Sequence, residues 1–227
     1  MTFSLAGFCE ETKEIGFAVA TSSVCVGARC GAAVPGKCVV FSQAKTNPLL
    51  HRIGINAFLE TNDVDKALEA MLNAEKQPQW RQLGILSATG EAAFFSGGSC
   101  LDVAEGVVGK GCLALGNAVS NTKVLGAMVA GFERTTGPLA YRLISGLKAG
   151  EDAGAEIDPL QSTAMRIYGE YEFPITDLRV DKSKDPIGDM FALWEDWAPK
   201  LGDYIMRAIN PDQARPSREI ENVNRSA

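Results

Sequence analysis

The order in which apolar segments follow one another constrains this chain more than any single motif. Residues 3–9 and 15–22 are rich in strand formers and flank the polar turn 10–14, which predicts a β-hairpin at the amino end. Residues 38–44 read as another strand after the Gly36-Lys37 turn, whereas 24–34 is ambiguous. Thr46-Asn47-Pro48 then starts a helix over 48–60, because Thr or Asn can satisfy free amides and Pro is tolerated in a first turn. A second helix follows Thr61-Asn62-Asp63, with Val64, Ala67, Leu68, Met71 and Leu72 on one stripe. The pattern then repeats. Strands at 81–86 and 92–96 flank the hairpin signal Thr89-Gly90, and 112–119 is a further strand. Helices are expected at 121–134 and 138–149, the second ending at Gly150. Residues 162–168 and 177–180 read as strands, and a long last helix opens at Asp185-Pro186 and kinks or breaks at Pro199. Strands and helices do not alternate one for one, which disfavours a doubly wound parallel sheet. The expected fold is α+β, a four-layer α-β-β-α sandwich of two mainly antiparallel sheets.

A chain of 227 residues suits one domain, read here as 1–209, followed by a polar tail at 210–227 that is mobile or an oligomer arm. The formal charge of -6 argues against nucleic acid and against anionic membrane surfaces. No apolar run is long enough to span a bilayer and no signal peptide is visible, so the expected compartment is the cytoplasm. Six cysteines stand at 9, 25, 30, 38, 100 and 112 without a C-x-x-C pair, and His51 is the single histidine. A metal site is therefore not expected, and no cofactor is. The cysteines read as small buried hydrophobes in a reducing compartment. Gly97-Gly98, Gly106, Gly109 and Gly111 lack the setting of a phosphate-binding loop and read as hairpin turns.

Thr2 carries the chemistry. An initiator Met is commonly trimmed before a small residue. Trimming would give Thr2 a hydroxyl nucleophile and its own base, an α-amine with a pKa of about 7.7–8.0. A retained Met1 would block that amine.

Several short segments, in this order and spacing, resemble one family. They are Met1-Thr2-Phe3-Ser4, Gln43-Ala44-Lys45-Thr46-Asn47-Pro48, Arg81-Gln82-Leu83-Gly84-Ile85, Leu115-Gly116-Asn117, Ala127-Met128, Gly137-Pro138-Leu139-Ala140 and Asp177-Leu178-Arg179-Val180-Asp181. Together they stretch over most of residues 1–187 and resemble domain of unknown function 1028, within the N-terminal-nucleophile (Ntn) hydrolase superfamily. The resemblance implies an α-β-β-α fold and an amide-bond hydrolase, and supplies no substrate. Three departures stand out. Gly154 to Leu160, before Gln161-Ser162, keeps an acid as Glu156 but lacks the family's basic residue. An acid- and histidine-rich pattern is replaced by Lys182-Ser183-Lys184-Asp185-Pro186, and of the glycines after Pro48 only Gly54 remains.

On this reading Thr2 attacks an amide carbonyl of a small amide or peptide. Hairpin pairing returns Thr21, Ser22 and Ser23 toward it, where they orient the amine or simply form a turn. Backbone amides at Ser42, Gln43 and Ala44, with the Gln43 side chain, could hold the oxyanion. Asn117 follows a strand and a glycine and reaches the site or serves the turn. Thr46 and Asn47 are substrate contacts or, more simply, helix caps. Arg81, Glu156, Gln161 and Arg179 bind a polar substrate or form structural ion pairs. Lys37, the tempting cation, sits in a turn and reads as solvated. One alternative is a catalytically inactive Ntn-fold binding or assembly protein, suggested by the lost pattern. Another is a cysteine enzyme using Cys9 or Cys25, for which His51 offers no supporting spacing. A homodimer is expected, with 191–204 as the aromatic contact segment.

Overall fold

The computed structural model describes residues 2–101 and 103–221; Met1 and the end of the expected tail lie outside the described residues. Its two sheets are antiparallel. One is six-stranded, in the order β10-β9-β2-β1-β8-β7: β10 (Pro174–Val180), β9 (Ser162–Tyr168), β2 (Ile15–Thr21), β1 (Thr2–Phe8), β8 (Cys112–Val119) and β7 (Val103–Gly109). The other is four-stranded: β3 (Gly31–Val34), β4 (Cys38–Ala44), β5 (Arg81–Ser87) and β6 (Ala92–Ser96). The helices are α1 (Leu49–Thr61), α2 (Val64–Ala74), α3 (Lys123–Arg134), α4 (Leu139–Asp152), α5 (Pro186–Trp197), α6 (Leu201–Ile209) and α7 (Ser217–Glu221).

Buried side chains fall into three apolar clusters, and these define the layers. α1 and α2 cover one face of the four-stranded sheet through Leu50, Phe58, Met71, Val40, Leu83 and Ile85. α3, α4 and α5 cover the six-stranded sheet through Leu125, Met128, Phe132, Leu143, Leu147 and Met190 against Phe3, Leu5 and Met165. Between the sheets lie Phe17, Val19, Phe41, Leu86, Leu113 and Leu115. The expected α-β-β-α sandwich of antiparallel sheets is therefore present. Phe17 and Phe41 meet edge to face across the inter-sheet layer, their ring centroids 5.6 Å apart.

Capping follows the sequence in places. Asp63 accepts from the amides of Asp65 and Lys66 at the start of α2, and Asp185 accepts from Gly188 at the start of α5. At α1 the Asn47 side chain accepts from Leu49 at 3.2 Å.

Four expectations differ. Gly150 does not end its helix, because α4 continues to Asp152. It is buried instead, where a Cβ would come within 2.5 Å of Met128 Cγ, so glycine lets α3 and α4 approach. Gly106 and Gly109 belong to strand β7 rather than to turns; the Phe94 ring lies over Gly106, and Gly111 alone makes the turn to β8. The segment from Asn210 is folded back as far as Glu221: Arg215 pairs with Asp203, Glu221 with Lys200 and Tyr204, and Ile220 is buried. Finally, the aromatic run 191–204 is used largely within the chain. Phe191, Trp197, Leu201 and Ile205 pack against the helix-side core, and Trp197 stacks on Tyr204 at 4.8 Å. Among the described residues no helix is long and apolar enough to cross a membrane.

Candidate active site

Side chains on a strand alternate between faces, and here that period sorts polar from apolar. On β1, Phe3 and Leu5 join the helix-side core while Ala6 joins the inter-sheet layer, so Thr2 and Ser4 also face between the sheets. By the same alternation Thr21 on β2, Asn117 on β8, Ser162 on β9, Gln43 on β4 and Gln82 on β5 face that layer. It is therefore hydrocarbon at one end and polar at the other. All seven of these residues are almost fully buried.

Burial of so many polar groups requires that they satisfy one another. Ser4 donates to Gln43 Oε1 at 2.9 Å, and Gln43 Nε2 donates to Gln82 Oε1 at 2.7 Å. Asn117 Nδ2 donates to the same Gln82 oxygen at 3.0 Å. Gln82 Nε2 faces the Gly116 carbonyl at 2.8 Å, Ser96 Oγ at 2.9 Å and the Glu105 carbonyl at 3.0 Å. Thr2 stands opposite Asn117 in the β1–β8 ladder, and its hydroxyl lies 3.4 Å from that of Thr21. The structure thus brings Thr2, Thr21, Gln43 and Asn117 to one end of the inter-sheet layer. Ser4 and Gln82 share the cluster and have no role in the sequence reading. The signal for both was present: Ser4 is two residues from Thr2, and Gln82 follows Arg81 at a strand start.

Backbone strain gathers at the same end. Ala44 (φ 66°) and Ala118 (φ 52°) occupy the left-handed region directly after Gln43 and Asn117, and Ala155 (φ 54°) directly before Glu156. A residue with a Cβ pays about 1–2 kcal/mol there. Strain of this kind persists only where the surroundings over-determine it, and it clusters at functional sites.

Glu156 is buried at this end and accepts from the Ser22 amide at 2.9 Å through Oε2, while its Oε1 has no hydrogen-bond partner among the described residues. Burial drives its carboxyl up to about 7 against the pull of the Ser22 hydrogen bonds. Gln161 holds the same turn: its amide donates to the Thr21 carbonyl at 2.8 Å, and its side chain donates to the Ser22 carbonyl. Gln161 also lines an open groove of about 510 Å³ with Pro159, Leu160, Lys182, Ser183 and Lys184. A second groove of about 490 Å³ shares Lys182 and includes Arg179, which pairs with Asp177.

Other candidates are held by neighbours of their own. Asn47 Nδ2 and Arg81 Nε both donate to Glu75 Oε2, at 2.8 and 2.9 Å. These bonds hold the Glu75 carboxyl down at about 2. The pair ties the chain after β4 to the start of β5. Thr46 Oγ1 lies 3.9 Å from the Cys30 sulfur. Lys37 is exposed in its turn. His51 is buried, and burial lowers its pKa to about 4 against a smaller upward pull from the Cys30 backbone, so it is neutral at pH 7. All six cysteines are free. Burial pushes the thiols of Cys38 and Cys112 up to about 12. At Cys9 burial acts upward too, but the pulls of Thr12, the Glu11 backbone and the Arg142 charge together outweigh it and the net shift is downward. Among the described residues no His, Cys, Asp and Glu group could hold a metal ion.

Among curated proteins, no sequence matches this chain. Of solved structures, protein SPO2555 from Silicibacter pomeroyi, a DUF1028 protein, superposes with a TM-score of 0.80 at 28% identity, covering 86% of this chain and 88% of that one. Anbu (ancestral beta-subunit) from Yersinia bercovieri gives a TM-score of 0.40 at 10% identity over 90% of this chain and 97% of its own. An Anbu (Gly-1) mutant from Hyphomicrobium sp. strain MC1 gives 0.43 at 11% over 86% and 94%. These last two likenesses are too distant to bear on this chain. The DUF1028 model matches residues 2–190, which include every residue of the polar cluster, and the chain therefore belongs to this family of unknown function.

Proposed function

We propose that this protein is an amide hydrolase of the N-terminal-nucleophile type, acting without a cofactor on a small amide or peptide, with Thr2 as nucleophile once its amine is free. One observation supports the reading above the others. The Thr2 hydroxyl is 3.4 Å from Thr21 and opposite Asn117, at the polar end of an otherwise apolar layer. In this reading the α-amine takes the Thr2 Oγ proton as Oγ bonds to the substrate carbonyl carbon. The carbon–nitrogen bond then breaks, the proton leaves with the amine product, and water later hydrolyses the ester. The Gln43 and Asn117 carboxamide nitrogens each carry a second hydrogen beyond the one committed to Gln82, and we assign these to the oxyanion. The groove at Gln161 is where the substrate would lie.

A second reading, a non-catalytic binding or assembly protein on the same fold, draws on the Asn47–Glu75–Arg81 cluster, in which two expected substrate contacts serve the fold.

The test combines intact mass with an electrophilic acyl probe such as a β-lactone. Protein beginning at Thr2 should gain one adduct, mapped to Thr2, and Thr2→Ala should fold and gain none. Equal labelling of Thr2→Ala would sink the hydrolase reading. Ligand binding in Thr2→Ala without any labelling of the parent protein would favour the second.

A further inference from the structure

The geometry points to Glu156 as the residue that holds the Thr2 α-amine, a positioning carboxyl laid across the amino end of β1. This rests on the Thr2 reading above and gives Glu156 a role other than substrate contact.

The argument begins with topology. β1 lies between β2 and β8. The Glu156 backbone is fastened beside the end of β8: Glu156 bridges Val119, Ser120 donates to the Ala155 carbonyl at 3.0 Å, and Ile157 donates to that of Ala118 at 3.2 Å. Its side chain ends at the Ser22 amide, beyond the end of β2. β1 starts at Thr2, level with Asn117 of β8, and Phe3 is level with Ala20 of β2. A side chain that starts beside the last residue of one flanking strand and ends just past the other lies across the amino end of β1.

One carboxyl oxygen, Oε2, is occupied by Ser22; the other, Oε1, is buried with no partner among the described residues. A carboxylate oxygen left so is costly. A terminal ammonium would supply both the missing donor and the opposite charge. The carboxyl, pushed up to about 7 by burial, is then close to an α-amine of about 7.7–8.0. The other titratable groups that feel its charge are Asp158 on the same segment and the Cys30 thiol. When Thr2 Oγ bonds to the substrate carbon, its proton passes to the amine, and the ammonium so formed is held by Glu156. That proton later leaves with the product amine, and Glu156 itself forms no covalent bond.

The test is titration of the Thr2 α-amine by NMR in full-length protein beginning at isotopically labelled Thr2, beside pH profiles of β-lactone labelling. In E156Q the Ser22 amide keeps an acceptor but the charge is gone. The amine pKa and the labelling midpoint should both fall by about one unit, the size expected for loss of one close opposite charge. Identical amine titration in the parent and E156Q overturns the inference. If E156Q does not fold, the parent alone decides: an amine titrating at or below its usual range overturns it. Failure of the hydrolase reading is separate, because it shows as unchanged labelling in Thr2→Ala whatever the amine titration gives.

Discussion

Gln43 and Gln82 are cross-strand partners on β4 and β5, and their side chains meet in the layer between the two sheets, Nε2 to Oε1 at 2.7 Å, where both are fully buried. Each sits on an adjacent strand of the four-stranded sheet, and each also reaches the six-stranded one, Gln43 through Ser4 and Gln82 through Asn117 and the Gly116 carbonyl. The polar end of the inter-sheet layer is thus joined by hydrogen bonds where the other end is joined by hydrocarbon.

Replacing Gln82 by Leu should therefore destabilise the protein by about 2–4 kcal/mol. The volume is nearly kept, but the Gln43 and Asn117 carboxamides lose their shared acceptor while buried. Urea unfolding followed by circular dichroism measures this. A change under 1 kcal/mol would mean that the two donors find other acceptors.

Ala44→Gly and Ala118→Gly relieve a left-handed backbone at the cost of extra freedom in the unfolded chain. The two terms nearly offset, and each variant is expected to be as stable as the parent or up to about 1 kcal/mol more so. If acyl labelling of Thr2 falls in such a stable variant, the strained turns position the site.

Arg81→Ala should raise the Glu75 carboxyl toward its ordinary value and leave Thr2 labelling close to that of the parent. Glu75 is held at about 2 in the fold, so its contribution is complete above the unfolded value of 4.5 and is lost as pH falls toward 2. Melting temperatures between pH 5 and pH 2 should fall less steeply in the variant. A large loss of labelling at full stability would instead make Arg81 a substrate contact.

His51 gives a second pH window. Its folded pKa of about 4 lies below the unfolded 6.5, so the unfolded chain binds more protons between those values. Stability is complete above pH 6.5 and falls on acidification toward 4, by on the order of 1–3 kcal/mol. His51→Leu should flatten the melting temperature across that window. A slope unchanged from the parent would mean that His51 is not the group responsible.

Much of the layout was legible in the sequence because it rests on local signals. The amino-terminal hairpin, the Asp63 cap and the Thr89-Gly90 turn each depend on residues a few positions apart, and the hairpin alone implied that Thr21 returns to Thr2. Strand β7 was not legible, because its glycines make room for packed neighbours, Gly106 for the Phe94 ring and Gly109 for Val129, rather than for turns. Gly150 was misleading for the same reason, since a glycine that ends a helix and one that admits a neighbouring helix look alike in sequence.

The sequence by itself determined the strand-by-strand layout and the hairpin that returns Thr21 toward Thr2, and the period of a strand puts Thr2 and Ser4 on one face of β1. It could not determine which faces meet. Hydrogen bonding is specific to distances near 3 Å, and only the stacking of one sheet on the other sets the distance between residues 39 positions apart, such as Ser4 and Gln43. The same holds for Glu156, separated from Ser22 by 134 positions and brought to 2.9 Å by the fold. Residue type supplied the chemistry, and packing of the layers chose its partners.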